Sequence, residues 1–220
     1  MNIQTLETYG IEPAIHGMRN PMNSWDKSDS DWDYNVPLDD TKLTFSFGKY
    51  RVGEKDKELS QKLQKSGPEH CKHLRMIFVW TDITAPRYWW NEFDTYRFGV
   101  EKVSCSTMHK LMARPLDKND FENDCMNDWY LDTMVKAINE SMLAYELCKD
   151  PEHKKEIWRG IIQALPQSYL QKRTVCMSYA ALRNIVKQRK GHKLSEWKQF
   201  IDWARTLPES WMIFDDMPEV

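Results

Sequence analysis

The sequence predicts an α+β fold, helix-rich around a mostly antiparallel sheet, and three observations carry that expectation. Helical spacing with good start signals dominates the second half of the chain, from Asp120 to Thr206. Two β-branched or aromatic runs, Leu43–Phe47 and Leu74–Thr84, read as strands. No strand–Gly-x-Gly-x-x-Gly–helix unit and no Walker loop is present, so nucleotide binding through a Gly-rich cradle is excluded.

Taken in order, residues 1–40 read as an irregular segment, because Pro13, Pro21, Pro37 and the polar run Ser24–Ser30 interrupt any periodicity. Residues 41–220 read as a single domain. Leu43, Phe45 and Phe47 alternate with Thr44 and Ser46, as a half-buried strand does. Glu54–Lys65 is an amphipathic helix with Leu59 and Leu63 four apart, stopped by Ser66-Gly67-Pro68. Leu74–Thr84 is a strand ended by Pro86. Residues 87–115 mix aromatic and polar side chains and read as helix followed by loop. Met134, Ile138, Met142 and Leu143 give helical spacing within a long helix over Asp120–Cys148. Asp150 caps and Pro151 fills the first turn of a helix running to about Ala164. A loop follows from Leu165. Ser178 then caps a helix ending at Arg189, and Ser195 caps one running to about Thr206.

Length and composition bound the function. The 220 residues suffice for a sizeable core, and 41% apolar with 29% charged residues describe a soluble globular chain. The formal net charge of -2 argues against a general nucleic-acid binder or an anionic-membrane binder. No run reaches the ~18 apolar residues of a membrane span. The first residues lack the basic start and apolar core of a signal peptide. Five scattered cysteines without a C-x-x-C pattern fit a reducing cytoplasm rather than a disulfide framework. Ten tryptophans and twelve methionines point first to a Trp-rich core or subunit interface, and second to stacking on bases or flavin.

The densest chemistry lies between Leu165 and Trp197. Lys187, Arg189, Lys190, His192 and Lys193 fall within seven residues and make a local anion site. Arg189 closes a helix, where a cation is also stabilised by the macrodipole. A solvated basic helix end is the plainer reading. Elsewhere, His70-Cys71-Lys72-His73 offers metal-capable side chains without a second ligand pair, so no metal is expected. Cys105, with His109 four residues on, reads as a buried, inert thiol rather than a nucleophile. Lys154, Lys155 and Arg159 read as a solvated helix face.

Leu165-Pro166, the helix with Leu182-x-Asn184 ending in Arg189, then His192 and Glu196 resemble the C-terminal part of the flavin-dependent thymidylate synthases. A second match is a divergent form of that family's central motif, from Pro86 through the aromatic run to Arg97, then Ser104–His109. Glu92 stands where Gln is usual, Thr95-Tyr96-Arg97 replaces Arg-His-Arg, and Ser106 falls at the motif Ser. A third is the helix with Asp56, Leu59 and Leu63, then Gly67-Pro68-Glu69-His70 and a strand. The resemblance covers residues 55–206.

The resemblance implies FAD as cofactor, methylenetetrahydrofolate and NADPH as co-substrates, and one-carbon transfer to C5 of dUMP or dCMP. It implies a homotetramer with shared active sites. It assigns Arg189 as catalytic, and Glu92, Ser104, Ser106, Arg173 and Arg189 as substrate-binding. It assigns His70, Thr95, Tyr96, Arg97, Asn184 and His192 to the flavin. Arg87, Lys102, Lys110 or Arg173 would replace the motif arginines that grip phosphate. The alternative is a non-catalytic nucleotide- or nucleic-acid-binding protein of the same ancestry, stacking bases on Trp89, Trp90 and Tyr96.

Overall fold

The computed structural model describes residues 1–34 and 48–214. The strand read at Leu43–Phe47 lies outside them. The fold is α+β, with a mostly antiparallel sheet. Four strands form the main sheet in the order β1-β4-β6-β5: β1 (Asn2–Tyr9), β4 (Phe78–Pro86), β5 (Val100–Ser104) and β6 (Leu170–Ser178). A separate antiparallel pair joins β2 (Asp31–Asp33) to β3 (Lys49–Arg51), with Trp32 opposite Tyr50. The helices are α1 (Ile11–Met18), α2 (Glu54–Lys65), α3 (Arg87–Phe93), α4 (Thr107–Lys110), α5 (Asp128–Leu147), α6 (Pro151–Ala164), α7 (Tyr179–Arg189), α8 (Ser195–Arg205) and α9 (Trp211–Phe214). Among the described residues, no helix is long and apolar enough to cross a membrane.

Several sequence expectations are corrected here. The described part of the segment read as irregular, residues 1–34, holds β1, α1 and β2. β1 exposes most residues of both its faces, so it lacks the apolar alternation that marks a strand. Pro13 sits in the first turn of α1, where its missing N–H costs no hydrogen bond. The strand expected from Leu74 begins at Phe78, because Lys72–Arg75 form a 3-10 turn. The loops expected after α3 and after Leu165 contain β5 and β6. The long helix starts at Asp128, where the Asn127 side chain accepts hydrogen bonds from the backbone of Trp129 and Tyr130.

The chain divides into two compact units. The first comprises residues 1–4, 82–97 and 102–175. In it α5 and α6 pack together over Leu111, Leu116, Phe121, Leu131, Ile138, Met142, Ile161 and Leu165. A second apolar group forms on α3, where Trp89, Trp90 and Phe93 are fully buried and Trp89 stacks on Phe93 at 4.9 Å. The Trp90 indole N–H donates to the Gln171 carbonyl at 2.9 Å.

The second unit comprises residues 5–81, 98–101 and 176–220. Its core is built on Leu182, Ile185 and Val186 of α7, Trp197 and Phe200 of α8, and Met212 and Ile213 of α9. Asp56 at the start of α2 is wholly buried and accepts hydrogen bonds from Arg19 Nε, Ser28 Oγ and Ser30 Oγ, each at 2.6 Å. Burial alone would raise its pKa, but the two serines and Arg19 outweigh that and hold it below the usual aspartate value.

Candidate functional site

Helix α7 organises the second unit's candidate site. Ser178 Oγ caps it by accepting from the Ala181 N–H at 3.2 Å. The helix stops after Arg189 because Lys190 leaves helical geometry and Gly191 takes φ +72°, a left-handed conformation that glycine adopts without strain. The tight turn brings the His192 N–H onto the Arg189 carbonyl at 3.1 Å. His192 Nδ1 accepts from the Leu194 N–H at 3.2 Å, so in the neutral ring the proton sits on Nε2.

Buried Trp197, in the first turn of α8, braces both groups. The Arg189 guanidinium carbon lies 4.5 Å from its ring centre, and the His192 ring meets it edge-on at 6.2 Å. Arg189 and His192 line a cavity of about 590 Å³ with Lys198, Asp202, Arg205 and Phe214. Lys198, Asp202 and Arg205 share one face of α8 by their spacing. The Arg205 guanidinium carbon lies 4.3 Å from the Phe214 ring centre. Such a wall of cations, one carboxylate and an aromatic ring suits an anionic heteroaromatic molecule.

The opposite face of α7 lines a second cavity, of about 690 Å³. It takes Ala180, Arg183, Asn184 and Lys187 from the helix, and Gly67, Pro68, Cys71 and Arg75 from the segment after α2. Asn184 Oδ1 accepts from Gln188 Nε2 at 3.0 Å. His70 is exposed on the same turn as Gly67, with Nε2 3.6 Å from Glu69. Beneath the turn, His73 Nε2 and Ser60 Oγ are 2.8 Å apart, and burial pushes the His73 pKa down to about 4.

The first unit holds a third group of polar residues. Arg173 on β6 donates through Nη1 to both Asp94 oxygens at 2.8 and 3.0 Å, and through Nε to Gln171 Oε1 at 3.0 Å. Its guanidinium carbon lies 4.2 Å from the centre of the Trp90 ring. Lys102 Nζ reaches the same Asp94 at 2.9 Å. Burial would raise the Asp94 pKa, but Lys102 and Arg173 hold it below the ordinary value. Arg87, Asn91, Thr107, Met108, Gln171 and Arg173 line a cavity of about 250 Å³ there.

The sequence-derived residues thus fall into three groups. Arg189 and His192 share one cavity; Asn184 lies in another, beside the turn that carries His70. Asn184 and His192, both assigned to the flavin, therefore line different cavities. Glu92, Thr95, Tyr96, Arg97, Ser104, Ser106 and Arg173 belong to the first unit. Glu92 is half-buried near the end of α3, and its carbonyl accepts from Thr95 Oγ1 at 2.7 Å. Tyr96 packs edge-on against Phe93, while Arg97 and Ser104 are exposed. Ser106 caps α4, accepting from the His109 N–H at 3.2 Å, and the preceding Cys105, expected to be buried, is exposed just past the end of β5. Sequence reasoning missed Lys65, Arg75, Arg205 and Phe214 as cavity residues. The spacing of Lys198, Asp202 and Arg205 was a usable signal, whereas nothing in the sequence linked Lys65 or Arg75 to α7.

No protein-family model matches the chain, and no curated protein matches it. Solved structures do. Two structures of the flavin-dependent thymidylate synthase ThyX from Helicobacter pylori, both with FAD and dUMP, match 100% of this chain and 100% of their own. Both superpose with a TM-score of 0.69, at 18% and 16% sequence identity. The chain has the ThyX fold.

Proposed function

We propose that this protein transfers a one-carbon unit from methylenetetrahydrofolate to C5 of a deoxypyrimidine monophosphate, dUMP or dCMP, with FAD as cofactor and NADPH as reductant. The observation that carries the reading is the full-length ThyX fold together with Arg189 and His192 held against Trp197 at one cavity. The residues fit a flavin: the cavity beside Asn184 has a size usual for cofactor sites, an amide able to donate and accept, and an apolar wall at Pro68, Leu74 and Ala180. Asn184 and the turn with His70 would hold the cofactor there. His192, Thr95, Tyr96 and Arg97 would complete its surroundings in the working assembly, a homotetramer on this reading.

FAD, held by those residues, would supply the redox and one-carbon relay between the donor and the base. The chain's own residues bind and polarise the pyrimidine. Arg189 presents a planar fork of donors that suits a carbonyl edge, and its charge stabilises the anion that develops on the base as C5 attacks. Its guanidinium carbon, held over the Trp197 ring, positions that fork in advance. His192 adds an Nε2–H donor. Glu92, Ser104, Ser106 and Arg173 would take up the nucleotide, and the C5 hydrogen leaves as a proton when the new carbon bond forms. No thiolate is required in this scheme.

The visible spectrum of the purified protein after addition of FAD and gel filtration tests the reading. Retained flavin absorbing in the blue is expected. A colourless protein that still binds dUMP would instead support a non-catalytic nucleotide-binding protein of the same fold.

A further inference from the structure

The cavity beside Asn184 carries more positive charge than flavin-ring binding requires. Lys65, Arg75, Arg183 and Lys187 all line it, and no carboxylate does. Among the described residues, Lys65 and Lys187 form no ion pair. Arg75 makes a long contact to the Pro68 carbonyl at 3.4 Å and enters no ion pair among the described residues, while Arg183 Nη1 donates to the Met212 carbonyl at 3.4 Å. The nearest acid on the turn, Glu69, is directed toward His70 and Gly67. Gathering Lys65, Arg75 and Lys187 around one concavity with no carboxylate in its lining is unfavourable unless an anion offsets their repulsion.

Two further features bear on the ligand. Gly67 has φ +121° and opens the turn so that backbone approaches the cavity without a side chain. Gln64, 6% exposed, also lines the cavity, and its Oε1 has no hydrogen-bond partner among the described residues. A buried acceptor without a donor is costly, so this wall also suits a ligand able to donate.

We infer that Lys65, Arg75, Arg183 and Lys187 hold the diphosphate of a nucleotide cofactor, replacing the arginines that Thr95-Tyr96-Arg97 no longer supplies. On the reading above that cofactor is FAD, and the inference rests on that reading for its identity. A diphosphate bears negative charge on both phosphates and offers acceptors in several directions, which point cations from two chain segments can meet. Lys187 sits one turn from Asn184, so a ligand gripped there reaches the amide as well.

The test uses the full-length protein and two probes, ADP and FAD, titrated by calorimetry at low and moderate salt. The variants are Lys65→Glu/Lys187→Glu and Lys65→Gln/Lys187→Gln, with thermal unfolding as the folding control. These lysines are exposed, so unfolding should be unchanged. The expected result is that the parent binds both probes, that binding weakens with salt, and that charge reversal weakens both by at least about tenfold, with the glutamines in between. If the parent binds ADP in this lysine-dependent way but not FAD, the diphosphate site stands and the flavin reading fails. If FAD binds equally to parent and both variants, the flavin reading stands and the inference is overturned. If neither probe binds the parent, the inference is overturned as well.

Discussion

The Arg189 guanidinium carbon lies over the Trp197 ring, 4.5 Å from its centre, although the two residues belong to different helices. The indole is fully buried and also meets His192, so one aromatic plate sets the position of both polar groups. The short hinge between α7 and α8, residues 190–194, makes this possible, with Gly191 at φ +72° in the turn that returns the His192 N–H to the Arg189 carbonyl.

Removal of the guanidinium is therefore expected to affect chemistry far more than folding. Arg189→Ala should raise the barrier by roughly 3 kcal/mol or more, as loss of a donor to a developing anion does. Turnover measured at saturating nucleotide and folate checks this. Activity near that of the parent would exclude Arg189 from the mechanism. Arg189→Lys should behave nearly as badly, since an ammonium neither stacks flat nor forks.

Much of this arrangement was legible in the sequence. Ser178, Leu182, Ile185 and Arg189 mark the start, buried face and end of α7, and Asp150-Pro151 marks α6; local capping and burial agree at both places. The central strand β6 was not legible, because Gln171, Lys172, Arg173 and Thr174 put polar groups where an interior strand usually shows apolar ones. Those polar groups are taken up by pairing: Lys172 and Thr174 with Asp82, and Arg173 with Asp94. Such partners lie some 80–90 residues away in sequence and cannot be read locally. The basic cavity was hidden for the same reason. Lys187 was visible in its charge run, but Lys65 and Arg75 join it only through the packing of the turn after α2.

The Arg173–Asp94 pair gives a second prediction. If Arg173 meets the nucleotide phosphate, the phosphate competes with the Asp94 carboxylate that now holds it. Asp94→Asn should then tighten dUMP or dCMP binding by about tenfold, the scale of one charge-assisted bond. Calorimetric titration reads it directly, and an unchanged Kd would remove Arg173 from the phosphate site.

Acid should weaken the second unit through His73. Its native pKa of about 4 lies below the 6.5 of the unfolded chain, so the native state binds fewer protons between those values. The contribution is fully present above about pH 6.5 and is lost as pH falls toward 4, by roughly 3 kcal/mol. Urea unfolding at pH 7 and at pH 4.5 should show that loss, and His73→Gln should flatten it. An equal slope in parent and variant would contradict the assignment.

Asp56 and Arg19 form a buried pair whose partners must be removed together or not at all. Asp56→Ala should cost about 3–5 kcal/mol by stranding the Arg19 charge. The double change Arg19→Met with Asp56→Leu should cost less. Chemical denaturation distinguishes the two, and a double variant weaker than the single one would show that the serines, not the charge, dominate.

Glu92 bears on the choice of base. An ionised carboxylate only accepts hydrogen bonds, so contact with the base edge would favour the amino group of cytosine over the carbonyl of uracil. Glu92→Gln should then shift preference from dCMP toward dUMP. A parent that already prefers dUMP, with no change in the variant, would place Glu92 away from the base.

The most direct test of the central claim follows the hydrogen at C5. Purified protein is supplied with FAD, methylenetetrahydrofolate and NADPH, and with dUMP or dCMP carrying tritium at C5. Release of tritium to water with one of the two nucleotides is expected, dependent on added FAD and folate and abolished in Arg189→Ala. Retention of all the label with both nucleotides, by protein that has bound FAD, would contradict the account.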